Sequence, residues 1–197
     1  MKQLLAELRA ALLATVAFTV VCCGLYPLVA AGIGQLAFRD RANGSLIIDG
    51  QGVVRGSQLL GQAFTNTTYF HTRPSAAGNG YDAAASGGSN LGPTSQALRD
   101  AISRRVATYR AENGLGDTTP LPADAVTASG SGLDLHISPE SARLQVRRVA
   151  AARGMPPATV TALVEQTVEP PQLGFLGEAR VNVVRLNMAL DRANTPR

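Results

Sequence analysis

Residues 10–33 read AALLATVAFTVVCCGLYPLVAAGI, and the length of this run divides the chain. No charged residue occurs between Arg9 and Arg39, so the segment exceeds the roughly 20 apolar residues a helix needs to cross a bilayer. A cleavable leader has an apolar centre of about 7 to 15 residues ending in small side chains. Val29-Ala30-Ala31 offers such an ending, but the run is too long, and the reading is a retained anchor. Pro27 lies inside it, where it kinks a helix; membrane helices tolerate this when neighbours resatisfy the freed carbonyl. Cys22 and Cys23 are adjacent within the run and read as small apolar helix residues, unable to form an ordinary disulfide with each other.

The expected organisation is a short N-terminus at residues 1–9, a transmembrane helix at 10–34 and one soluble domain at 35–197. Lysine and arginine hardly bias the orientation: Lys2, Glu7 and Arg9 precede the run, and Arg39, Asp40 and Arg41 follow it. A very short tail before a long apolar run commonly stays cytoplasmic, which makes residues 35–197 extracytoplasmic. The net charge of +4 comes from arginine, with Lys2 the sole lysine. These arginines are spread out and interrupted by acids, as on a solvated surface with a partner face. Without clustered cations and stacking aromatics, nucleic-acid binding is not expected.

Within the soluble part, Ser45–Ile48 and Val53–Arg55 flank Asp49-Gly50-Gln51-Gly52, a hairpin pattern that starts a small sheet. Tyr69 to Pro93, YFHTRPSAAGNGYDAAASGGSNLGP, is a built loop: glycine, serine and asparagine supply special backbone angles and local hydrogen bonds. Pro93 can open a helix whose Leu98, Ile102, Val106 and Tyr109 recur at helical spacing up to Asn113-Gly114. Arg99, Asp100, Arg104, Arg105 and Arg110 make its solvated face. A second glycine/serine loop spans Asp124–Ser138.

Ser138 then fits an N-cap, with Pro139 in the first turn and Ala142, Val146, Val149 and Ala150 as the buried stripe. Arg143, Arg147 and Arg148 crowd the opposite, solvated side. Gly154 stops that helix, and Pro156-Pro157 opens another carrying Val160, Leu163, Val164 and Val168. The β-branched run Arg180–Leu186 is expected to return to the first sheet as a strand. The fold class is α+β: one anchor, a small sheet and about three helices.

The candidate loop residues are Tyr69, Phe70, Arg73, Ser86, Ser89, Asn90, Asp134 and His136, read as partner contacts or loop structure. Arg73 and Asp134 are charges among small neighbours, which suits an ion pair or an influence on cations near a pore entrance. Ser86–Asn90, SGGSN, resembles part of a phosphate-approaching loop. A P-loop, however, requires GxxxxGK and a lysine, and the soluble part has no lysine. Ser129, Ser131, Asp134, His71 and His136 are residue types of a serine hydrolase, but ASGSGLD lacks the nucleophile elbow. The two histidines lack metal-site spacing. No catalytic, cofactor or metal residue is expected.

Four ordered motifs carry a family resemblance: GQAFTNTTYFHTRPSAA at 61–77, SGGSNLGP at 86–93, DAVTASGSGLDLHISPESA at 124–142 and LGFLGEARVNVVRLNMAL at 173–190. Together they resemble the C subunit of the bacterial Kdp potassium-transporting ATPase. Leu135 in place of proline and Ser95-Gln96 in place of Asn-Pro depart from the family pattern. The resemblance implies a noncatalytic subunit of a high-affinity potassium uptake complex, serving assembly and potassium access. Its implied partners are a potassium channel-like subunit, a P-type ATP-hydrolysing subunit and a small accessory peptide, with ATP and potassium handled by the complex. The aspartyl-phosphate signature DKTGT of P-type pumps is missing from this chain. The family is also described as raising ATP affinity in the hydrolysing subunit. A different class of reading is a membrane-anchored extracytoplasmic hydrolase or binding module.

Overall fold

The computed structural model describes residues 2–193 and divides the chain into two compact units, the first ending at Arg55 and the second beginning at Gly56. Helix α1 (Lys2–Phe18) continues through a π-helical segment, Thr19–Leu25, into α2 (Tyr26–Ala37). The π segment has a local cause. Pro27 stands in the first turn of α2, without an N–H and with a ring that crowds the carbonyl four residues back. Widening the turn relieves that crowding, and the Tyr26 N–H donates to the Val21 carbonyl five residues back.

The stretch Gln3–Ala37 is 35 residues long and apolar enough to cross a membrane. At about 1.5 Å per residue it is longer than the roughly 30 Å hydrocarbon layer. Its apolar side chains from Leu4 to Phe38 are exposed, as befits a helix whose solvent is lipid. A short helix, α3 (Arg39–Ala42), leads to the expected hairpin, β1 (Leu46–Ile48) and β2 (Val54–Ser57). Asp49 shapes its turn: one carboxylate oxygen accepts from the Gln51 and Val53 amides, and the other from Arg55 Nε at 2.7 Å.

The second unit contains α4 (Gln96–Asn113), α5 (Ala123–Val126), β3 (His136–Ile137), α6 (Pro139–Arg153), α7 (Pro157–Thr167), β4 (Val168–Glu169), β5 (Arg180–Asn182) and α8 (Val183–Ala193). Its sheet has the order β3-β5-β4 and is antiparallel. Strand β5 is central, with Val181 opposite both Ile137 and Val168.

This arrangement corrects two expectations. The run Arg180–Leu186 does not rejoin the first hairpin, which remains a separate two-stranded sheet. Nor does it stay extended: after three residues it turns into α8, because Asn182 Oδ1 accepts the Arg185 N–H at 3.1 Å and caps the new helix. Val183, Leu186, Asn187 and Leu190 then fall on one buried helical face.

Helix α6 follows the sequence reading closely. Ser138 Oγ accepts from the Ser141 amide at 3.0 Å, Pro139 occupies the first turn, and Gly154 closes the helix at φ 64°. Helix α4 starts at Gln96, so Pro93 lies before it; Gly114, at φ 62°, ends it. Helix α7 packs on both α6 and α8, and all three lie against β5. Their core joins Phe70, Ile137, Val146, Val149, Val160, Val164, Val181, Leu186 and Leu190.

Candidate functional site

Phe70 is fully buried although its neighbours form no regular strand or helix. Backbone polar groups entering a core must find partners, and here side-chain amides supply them. Asn187 of α8 accepts the Phe70 N–H at 2.8 Å and donates to the Phe70 carbonyl at 3.0 Å. One residue on, Gln145 of α6 accepts the His71 N–H at 2.7 Å and donates to the His71 carbonyl at 3.1 Å. Two carboxamides therefore replace the neighbouring strands that would otherwise pair this segment.

Arg148 completes the clamp. Its Nη1 donates to the carbonyls of Thr67 at 2.7 Å and Tyr69 at 2.9 Å, its Nη2 to Gln145 Oε1 at 2.8 Å, and its Nε to Asn113 Oδ1 at 3.0 Å. Burial pulls its pKa below the ordinary arginine value, with Glu112 and Tyr109 opposing. Arg153 donates to the Thr68 carbonyl and to Asp191 while lying 4.7 Å from the centre of the Tyr69 ring. Tyr69 itself stacks obliquely on Phe64 and donates its hydroxyl to Asp191.

Beyond His71 the segment locks onto the second glycine-rich loop. Ser75 and Ser86 donate to the carbonyls of Gly132 and Ser131, the Gly87 amide donates to Ser131, and the Gly61 amide to Leu133. The fit needs glycine at position 132, where φ is +66° and an added Cβ would lie 2.6 Å from atoms of Ala77. Ser131 Oγ accepts from the Leu133 amide, a local turn bond rather than a poised nucleophile.

Arg73 and Asp134, paired in the sequence reading, do meet: Nη1 donates to Oδ2 at 3.2 Å. Asp134 also accepts the His136 backbone amide, and His136 reaches Glu169, which pairs with Arg180 and Arg185. Burial works to raise the Asp134 pKa, but the His136 bonds and the Arg73 charge outweigh it, and the net shift is downward. Arg73, Asp124, Asp134, His136, Glu140 and Arg180 line an open cleft of about 730 Å³. Its carboxylates are partly engaged in building the walls: Asp124 accepts both the amide and the hydroxyl of Ser138.

The eight residues singled out from sequence thus fall into three groups. Tyr69 and Phe70 belong to the clamp, Arg73, Asp134 and His136 to the charged chain, and Ser86, Ser89 and Asn90 to the exposed rim of the glycine loop. Gln145, Arg148, Asn187 and Asn113 were not anticipated. Arg148 was expected on a solvated face, yet it is 9% exposed. Arg105 and Arg110 likewise turn back to bond the Val126 and Thr119 carbonyls. Arg143, four residues before the like-charged Arg147 on α6, forks onto Glu165 of α7 at 2.8 and 3.0 Å. A helical signal for Asn187 existed, since Val183, Leu186, Asn187 and Leu190 share one face; the β-branched start of the run concealed it.

An apolar helix long enough to span a bilayer precedes a small α+β unit whose glycine loops are fastened together, the build of a membrane-associated protein with one candidate spanning helix. Comparison with known proteins identifies the kind. Residues 8–192 match the family described as KdpC: K+-transporting ATPase, c chain. The chain is 54% identical over 190 residues to the potassium-transporting ATPase KdpC subunit of Nitratidesulfovibrio vulgaris, covering 95% of each chain. It is 52% identical over 193 residues to that of Caulobacter vibrioides, covering 98% of this chain and 96% of the relative. For Mycobacterium tuberculosis the identity is 53% over 186 residues, 94% of this chain and 98% of the relative. The chain belongs to the KdpC family, subunits of the potassium-transporting ATPase complex, and so has a role in potassium transport.

Proposed function

We propose that this chain is a noncatalytic assembly subunit of a high-affinity potassium uptake complex. Residues 2–37 anchor it among the membrane helices of its partners, and its soluble part docks on the extracytoplasmic face of the channel-like subunit near the potassium entrance. The P-type subunit hydrolyses ATP, a small accessory peptide completes the complex, and this chain binds no cofactor of its own.

One observation carries the reading. Within Ser86–Asn90, the stretch that resembles a phosphate-approaching loop, the Gly87 amide is fastened to the Ser131 carbonyl, and upstream in the same long loop the Phe70 and His71 amides are taken by Asn187 and Gln145. Those donors serve architecture. The loop then acts through its fixed outer surface, as a docking element does. Removing residues 56–197 while keeping the anchor is expected to abolish recovery of the intact complex and weaken potassium uptake at low external potassium. Normal assembly and normal apparent potassium affinity would reject the proposal.

A second reading, adjustment of ATP affinity, draws on the exposed Ser86, Ser89 and Asn90 at the loop rim. Reporter fusions at the C-terminus separate the two. A cytoplasmic signal favours nucleotide contact; an extracytoplasmic one removes it.

A further inference from the structure

The connection between β4 and β5, Pro170–Ala179, holds the largest exposed apolar side chains of the second unit: Leu173 is 82% and Phe175 74% exposed, with Leu176 beside them. The loop is nevertheless firmly shaped. Gln172 and Leu176 exchange both backbone hydrogen bonds, at 2.9 and 2.8 Å, and the Gly174 and Phe175 amides bond back to Pro171 and Gln172. Leu173 has φ 54°, a left-handed conformation unfavourable for a branched side chain, flanked by Gly174 at φ 82° and followed by Gly177 at φ 82°. Strained backbone that holds apolar side chains in water marks a surface prepared for a contact.

We propose that Leu173, Phe175 and Leu176 form a rigid apolar knob that inserts into an apolar socket with a basic rim on another subunit of the transport complex. This deepens the docking role proposed above and rests on it. Charge selects the occupant. Glu169 at the base of the knob is already matched by Arg180 and Arg185, so the acid that a partner's basic rim meets is exposed Glu178, which leaves the knob. The knob itself has no cation to attract an anionic lipid surface. Size argues against self-association: in a symmetric pair these side chains bury on the order of 500 Å² on each copy, short of the roughly 800 Å² per partner of a standard interface. The knob suits an assembly already held through other surfaces, where a pre-shaped contact costs little ordering entropy.

The test uses the intact complex, co-expressed and purified. With the photoreactive p-benzoylphenylalanine at position 175, irradiation is expected to join this chain to a different subunit, mapped by peptide sequencing to an apolar surface bordered by lysine or arginine. Adducts confined to lipid, adducts between two copies of this chain, or no adduct would each overturn the proposal. In parallel, Phe175→Ser and Leu173→Ser are expected to leave thermal unfolding of the isolated chain unchanged and to weaken association about tenfold, the loss of one buried anchor. Undiminished recovery of the complex with both variants would overturn the knob alone. The docking role would still stand if removal of residues 56–197 abolished assembly.

Discussion

Arg148 carries its guanidinium into the protein interior and meets the carbonyl of Tyr69 at 2.9 Å, and its hydrogen-bond partners among the described residues include no carboxylate. The charge is solvated by oriented dipoles from four residues, as an ion is by water. Arg148→Met is expected to destabilise the folded unit by about 3 kcal/mol or more, since several buried acceptors lose their donor at once. Arg148→Lys should recover less than half of that, because an ammonium cannot fork in one plane to Thr67, Asn113 and Gln145. Urea unfolding monitored by circular dichroism measures both; equal stability of the lysine variant and the native chain would contradict this account.

Asn187 offers a finer chemical test. Asn187→Asp keeps an acceptor for the Phe70 amide but sets a second oxygen against the Phe70 carbonyl, so it should cost about as much as Asn187→Leu, roughly 2 to 4 kcal/mol. A benign aspartate variant would mean that the carboxamide donor has little weight.

The histidine at position 71 predicts a pH dependence. Burial, helped by the Arg148 charge, lowers its pKa, while Glu112 at 3.6 Å and the Asn66 carbonyl oppose the shift. The unfolded chain titrates near 6.5, so between that value and the lower folded one the unfolded state holds more protons. Stability is therefore complete above about pH 6.5 and declines as pH falls through the folded pKa. His71→Gln should flatten this part of the curve, read as melting temperature against pH; an unchanged slope would assign it to another group.

Two nearby glycines of the second glycine-rich loop make opposite predictions. Gly132→Ala brings a methyl to 2.6 Å from Ala77 and keeps a φ of +66°, which should cost about 1 to 3 kcal/mol. Gly130→Ala meets nothing within 4 Å and should change stability by less than about 0.5 kcal/mol. Thermal melts of the pair decide whether the loops are interlocked as described.

Local signals made much of this fold legible. The Asp49 turn, the Ser138 cap and the Gly154 stop are each written within a few residues, and each appears where it was read, while the apolar run at 10–34 lies inside a longer helical stretch, Gln3–Ala37. Residues 180–186 misled because Val181, Val183 and Val184 favour strands, whereas Asn182 as a cap and Leu186 and Leu190 in the core decide for a helix. The clamp was hidden for a different reason. Gln145 and Asn187 are uncharged polar residues with no local signature, and their partners lie 74 and 117 positions away. Arg73 and Asp134 were visible only as charges set in loops among small neighbours.

The separation of 117 positions between Phe70 and Asn187 also bears on how the protein is made. The centre of the core is laid down early in synthesis, but its last wall, α8, spans Val183–Ala193. All of the chain through that helix must leave the ribosome before Phe70 can be enclosed. Until then its aromatic ring and unpaired amides are open to chaperones and proteases, and contacts this distant form slowly. A message truncated ahead of Asn187 would thus yield a chain with no closed core, so that only subunits carrying α8 become competent to assemble.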